Sequence, residues 1–94
     1  MNINKNAKYG FNIKDTINDY IATLIKYKKL EEATDIINNI LNDSQLIEHN
    51  ADIIMDEYSH FITNKQDVIT NLIDCLNETH NFLFTVKIYN ELHE

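Results

Sequence analysis

The sequence predicts an all-α fold, a small bundle of four to five helices built from two antiparallel helical hairpins and preceded by a flexible N-terminal arm. Three features indicate this fold. The 94 residues include no proline and one glycine, so few positions interrupt a helix. Apolar residues recur at intervals of three and four between Ile13 and Leu76. Clusters of Asn, Asp and Ser separate the apolar stretches and supply side chains that cap helix N-termini.

The chain divides into an arm and a single helical domain. Residues 1–11 lack periodicity and contain the one glycine, Gly10, which predicts a flexible or extended arm. Residues 12–94 are enough for one domain with a modest core.

Four helices follow from the apolar pattern and the capping residues. They are expected at about residues 13–28, 30–42, 45–63 and 65–77. Asn12 and Asn64 are the expected caps of the first and fourth, and one residue of the cluster 42–44 caps the third. A short lysine-rich corner joins the first two, which predicts an antiparallel hairpin.

The segment 80–94 is ambiguous. Phe82, Phe84, Val86 and Ile88 alternate with other residues as in a strand, but they also fall on helical faces. A lone strand would have only the N-terminal arm as a partner, so a fifth helix is favoured. The segment is apolar on more than one face. It therefore lies in the core or forms a homodimer interface through residues 82–92.

Charge is distributed unevenly along the chain. The net charge is −7, yet residues 1–30 carry six lysines against two acidic residues, and residues 31–94 carry two lysines against thirteen. All eight basic residues are lysine, so the guanidinium groups that read phosphates and guanine are absent from the sequence. We expect no direct nucleic-acid binding and a partner protein with a basic surface.

One cluster has the residue types of a metal site. His49, Asp52, Asp56 and His60 share one face of the third helix, and such ligands suit zinc, manganese or iron. That face lies opposite the apolar stripe, and a single helix cannot enclose an ion. The favoured interpretation is a solvated face with no metal, and a metal-dependent enzyme remains the alternative.

The sequence shows no catalytic motif. The single cysteine, Cys75, lies in an apolar run and is expected to be buried. No glycine-rich loop is present to bind phosphate or an oxyanion. We therefore expect neither an enzyme nor a cofactor. No signal peptide or membrane-spanning stretch is evident, which predicts a cytoplasmic protein.

The acidic surface has two interpretations. It forms a binding face for a basic partner, or it only keeps a helical protein from aggregating. In the first case the candidate partner-binding residues are acidic or aromatic: Asp43, Glu48, Asp52, Asp56, Glu57, Tyr9 and Tyr27. The expected function is then that of a stoichiometric inhibitor encoded by a phage or mobile element, of an anti-defence or anti-CRISPR type. A bacteriocin or toxin immunity protein and a homo-oligomeric structural component are the alternatives.

Overall fold

The computed structural model of the chain describes residues 11–93. Tyr9 and the rest of the predicted arm up to residue 10 lie outside this range. The described residues form four α-helices and no strand. The helices are α1 (Ile13–Leu24), α2 (Leu30–Leu41), α3 (Ser44–Glu57) and α4 (Lys65–Leu92). The predicted all-helical fold is confirmed at this level.

Side-chain caps fix where three of the helices begin. Asn12 Oδ1 accepts hydrogen bonds from the backbone N–H groups of Lys14 and Asp15, at 2.9 and 3.1 Å. Asp43, from the cluster 42–44, caps α3, and Asn64 caps α4 by the same pattern. Each cap satisfies two N–H groups that have no partner within the helix. The caps predicted at Asn12 and Asn64 are therefore confirmed.

Two helices end earlier than the apolar pattern predicts. α1 stops at Leu24, because the chain tightens into i→i+3 turns through Ile25 and Lys28. α3 stops at Glu57, and the turn that follows buries Ile62 while Phe61 stays exposed. The apolar pattern predicts both residues within a continuous helix, but they lie in the connection after α3, and Ile62 reaches the core from there.

α4 replaces two predicted elements with one. The helix continues for 28 residues from Lys65 to Leu92, about 42 Å at 1.5 Å per residue. The separate fifth helix is therefore wrong, and so is the break predicted at Asn77. Neither proline nor glycine lies between Lys65 and Leu92, so nothing in the backbone chemistry forces a break.

α4 is the element on which the other helices assemble. α1, α2 and α3 each pack against it, and α2 also packs against α3. The predicted hairpin of α1 with α2 is not confirmed, because each of these short helices makes its main contacts with α4. α3 also packs against α4. The chain between these two helices runs back along α3, so that Lys65 lies beside Glu48 and Asp52.

The core lies between α1, α2, α3 and the first half of α4. Its buried side chains are largely branched aliphatic: Ile17, Ile21, Ile37, Ile40, Ala51, Ile54, Ile62, Val68, Leu72, Cys75 and Leu76. On α4, no residue from Asn77 to His93 is buried. The second half of α4 therefore extends past the core. No helix among the described residues has the length and apolar character needed to cross a membrane.

Candidate protein-binding surface

The five acidic residues predicted to bind a partner all belong to α3 or to its cap. Asp43 precedes the helix, and Glu48, Asp52, Asp56 and Glu57 project from it, with every one of them exposed. The packing explains this placement, because Ala51 and Ile54 turn the opposite side of α3 into the core. We refer to Glu48, Asp52, Asp56 and Glu57 as the acidic face of α3.

Asp43 has a structural role. Its Oδ1 accepts hydrogen bonds from the backbone N–H groups of Gln45 and Leu46, at 2.9 and 3.4 Å. A carboxylate at this position also interacts favourably with the helix dipole. Asp43 therefore stabilises the start of α3. Its interactions with the helix N-terminus partly offset the negative charge that it adds to the surface.

Two members of the acidic face already hold a cation. Lys65 Nζ lies 2.8 Å from Asp52 Oδ1 and 3.1 Å from Glu48 Oε1. The hydrogen bonds to Asp52 and then to Glu48 raise the pKa of Lys65. Both carboxylates are 62 % exposed and Lys65 is 38 % exposed, so solvent screens the arrangement and it adds little to stability. It shows that the spacing of these carboxylates suits an ammonium group.

Sequence reasoning did not identify Lys65 as the partner of the acidic face. Lys65 is 17 residues from Glu48 and 13 from Asp52, far beyond the spacing at which helix neighbours meet. The contact depends on how the Tyr58–Asn64 connection returns along α3. The local sequence carries no signal for it.

The last turn of α3 carries carboxylates without such a cation. Neither Asp56 nor Glu57 forms an ion pair within residues 11–93. Glu57 lines a shallow cleft between α1 and α3 together with Asp19, Tyr20 and Tyr58. The cleft therefore combines two carboxylates with two aromatic rings. Asp19 was not predicted as a site residue, because it lies on a different helix.

A buried polar contact holds the two walls of this cleft together. The hydroxyl of Tyr20 on α1 donates a hydrogen bond to Asn50 Oδ1 on α3, and Asn50 Nδ2 donates to the Leu46 carbonyl at 2.7 Å. Asn50 is the only buried polar residue in the described part of the chain. Burial, and then the charge of Glu57, raise the pKa of Tyr20, so the phenol remains protonated.

Tyr27, the one aromatic candidate within the described residues, lies apart from the acidic face. It follows α1 in the corner before α2, its side chain is 86 % exposed, and Lys26 Nζ lies 5.3 Å from the ring centroid. Phe11, which was assigned to the arm, packs against the helices and stacks on Phe61 with 4.9 Å between ring centroids. The predicted residues therefore do not converge on one site.

Comparison with protein-family models, with curated proteins and with solved structures found no match.

The members of the histidine-containing cluster are not brought together around one point among residues 11–93. Within residues 11–93, no group of three or more His, Cys, Asp or Glu side chains is placed to hold an ion. His49 and Asp52 line an open groove, but Asp52 is hydrogen-bonded to Lys65. His60 lies beyond the end of α3, in the turn that follows Glu57. The early end of α3 therefore breaks the helical register that placed His60 with the others.

Cys75 is buried as predicted. Its Sγ lies 3.8 Å from the carbonyl oxygen of Lys14, and burial raises the pKa of the thiol. Both effects disfavour the thiolate, which is the reactive form.

Proposed function

We propose that the chain binds another protein through the acidic face of α3 and thereby alters the activity of that protein. The observation that carries the proposal is the position of Lys65 between Asp52 and Glu48, at 2.8 and 3.1 Å. The acidic face accommodates an ammonium group of the chain itself. Asp56 lies one turn beyond Asp52, and Glu57 projects from α3 in a different direction. Both are exposed and form no ion pair among residues 11–93, so each is open to a basic group from outside.

The charge of the chain supports a basic partner. The net charge is −7, and the thirteen acidic residues of 31–94 produce a field that attracts cationic surfaces over about 8 Å at physiological salt. Such a field increases the rate of encounter and disfavours acidic partners. The same field repels nucleic-acid phosphates, so the proposed partner is a protein.

Salt dependence and charge variants test the proposal together. The immobilised chain is used to capture proteins from a lysate of its native host at about 50 mM and about 500 mM salt. We expect the captured protein to be basic, to be lost at high salt, and to be lost with the double variant Asp56→Asn/Glu57→Gln. The double variant Asp35→Asn/Asp74→Asn changes the charge equally on other helices and should retain the partner.

Lys65 gives a test in the opposite direction. Lys65→Gln removes the internal cation, so Glu48 and Asp52 become available and the acidic face becomes more negative. We expect tighter binding to the captured partner, measured by calorimetry at about 50 mM salt. Lys28→Gln, which removes an exposed cation outside the acidic face, is the matched control. Equal affinities for all these variants would reject the acidic face as the binding surface.

For the biological role, we propose a stoichiometric inhibitor encoded by a phage or mobile element, of an anti-defence or anti-CRISPR type. Small size, acidic charge and the helical fold support this class by analogy. An immunity protein against a bacteriocin or toxin is the second candidate, since a helical acidic protein can also cover a basic toxin. Expression in a host that carries an active defence system, and separately in a host challenged with toxin, distinguishes them. Restored phage growth supports the inhibitor, and survival of toxin supports the immunity protein.

A further inference from the structure

The second half of α4 carries a large apolar surface that the core does not use. We refer to Phe82, Phe84, Ile88, Tyr89 and Leu92 as the apolar face of α4. Each of these side chains is between 41 and 77 % exposed. Scattered exposed apolar residues are ordinary, but five within eleven residues of one helix are a concentration of apolar surface.

The spacing of these residues places them on the outer side of the helix. Phe84, Ile88 and Leu92 are four residues apart and form one line. Phe82 and Tyr89, seven residues apart, form a second line beside it. Leu83 packs against the core from the opposite side of α4. The apolar face is therefore turned away from the rest of the molecule.

We propose that this face pairs with the same face of a second copy of the chain, in an antiparallel contact between two α4 helices. The proposal goes beyond the binding function assigned to α3, because it uses different residues and a different force. A second copy is the proposed occupant for two reasons: the low charge around the apolar face, and the apolar area that the face exposes.

The local charge permits a copy of the chain to approach at this face. Residues 81–92 contain one cation, Lys87, and one anion, Glu91, in a protein of net charge −7. Two copies repel each other over most of their surfaces, but not here. Lys87 lies four residues after Leu83, on the side of α4 that faces the molecule, and it borders a groove together with Glu91 and residues 29–32 of α2. The five side chains of the apolar face are themselves uncharged, so the face presents little charge to an approaching copy.

The exposed area is sufficient for a small dimer. The three aromatic side chains would bury roughly 150–250 Å² each when fully covered. Together with Ile88 and Leu92, these partly exposed residues provide on the order of 550 Å² per copy. Two copies bury about 1,100 Å², close to the lower bound of about 1,200 Å² for specific interfaces. Thr85 and Asn81, between and beside the two lines, supply the remainder. We therefore expect a weak dimer in the micromolar range.

Light scattering across a concentration series tests the pairing. The wild-type chain should increase from a monomer mass of 11.1 kDa toward twice that value between about 1 and about 500 μM. The association should be unchanged or stronger at about 500 mM salt, because salt screens the repulsion between two acidic copies. This response is opposite to that expected for a basic partner on α3. The failure of one proposal is therefore distinguishable from failure of the other.

Two variants with a matched control locate the contact. Tyr89→Lys and Phe82→Lys each place a charge in the apolar face, and we expect the dissociation constant to rise at least about tenfold. Tyr27→Lys makes the same chemical change at an exposed tyrosine outside the face and should leave association unchanged. Circular dichroism of each variant confirms that the helices are retained.

Three results would overturn the proposal. One is a monomer mass for the wild-type chain at every concentration and both salt levels. Another is a dimer that Tyr89→Lys and Phe82→Lys leave intact. The third is a monomer that floats with phosphatidylcholine vesicles and loses this binding in the two variants, which would assign the apolar face to lipid.

Discussion

At the scale of single residues, the contact between Tyr20 and Asn50 has the largest consequence. It joins α1 to α3 within the region where other side chains are apolar, and Asn50 is 7 % exposed. A buried hydrogen bond adds modestly to stability, but its loss leaves a polar atom without a partner.

Replacing Tyr20 with Phe tests this contact. Asn50 Oδ1 then loses its donor, and we expect the free energy of unfolding to fall by about 1–2 kcal/mol, measured by urea denaturation. Tyr27→Phe removes an equivalent hydroxyl from a solvated ring and should leave the midpoint unchanged. A Tyr20→Phe protein as stable as the wild type would show that water replaces the hydrogen bond.

Only part of the candidate surface could be predicted from the sequence. The outward position of Glu48, Asp52, Asp56 and Glu57 follows from helical periodicity, which is a local property. Which of these carboxylates form ion pairs does not follow from periodicity. Lys65 reaches Glu48 and Asp52 only because the chain returns along α3 after that helix ends. The contribution of Asp19 to the cleft has the same origin, since it requires α1 and α3 to be neighbours.

At the scale of elements, helix starts were predicted more accurately than helix ends. Asn12 and Asn64 cap through backbone groups two and three residues away, so their effect is contained in the local sequence. The ends of α1 and α3 depend on where the chain must turn to bury Leu30 partly and Ile62 fully. No glycine marks those ends, so tertiary packing decides them.

The cap of α4 gives a test at this scale. Asn64→Ala removes the acceptor for the N–H groups of Gln66 and Asp67, and should destabilise the protein by about 1 kcal/mol. Asn39→Ala makes the same substitution at an exposed position within α2, where alanine is the better helix former. Urea denaturation should therefore show a loss for Asn64→Ala and no loss for Asn39→Ala. The reverse order would mean that the cap contributes nothing.

The sequence does not predict that α4 is one continuous helix, because a weak local signal at Asn77 suggests a break. The local sequence predicts that one helix ends at Asn77 and another begins near His80, although Asn costs a helix well under about 1 kcal/mol relative to Ala. The alternation of Phe82, Phe84, Val86 and Ile88 also fitted a strand. The helix is preferred in the structure because α2 packs along α4 and no second strand exists among residues 11–93.

At the scale of the whole molecule, the resolved pKa shifts act in one direction. Those of Lys14 and Lys65 are raised by their carboxylate partners, and those of Tyr20 and Cys75 by burial. The folded protein therefore holds more protons than the unfolded chain at alkaline pH. Where the folded state binds the excess protons, the free energy of unfolding falls as pH rises.

We therefore expect stability to decline from about pH 9 upward, where cysteine, tyrosine and lysine ordinarily titrate. Thermal denaturation between about pH 7 and about pH 11 measures this slope. The double variant Tyr20→Phe/Cys75→Ala removes two of the four groups and should flatten the slope, whatever its effect on stability at neutral pH. A flat profile for the wild type would contradict the shifts.

The central position of α4 also affects the order in which the protein can fold during synthesis. α1, α2 and α3 leave the ribosome first, yet each needs Val68, Leu72 or their neighbours on α4 to cover its apolar side. Until translation has passed Leu76, the nascent chain exposes isoleucine-rich helices whose main packing partner has not yet been made. A ribosome stalled before α4 would therefore release an aggregation-prone fragment.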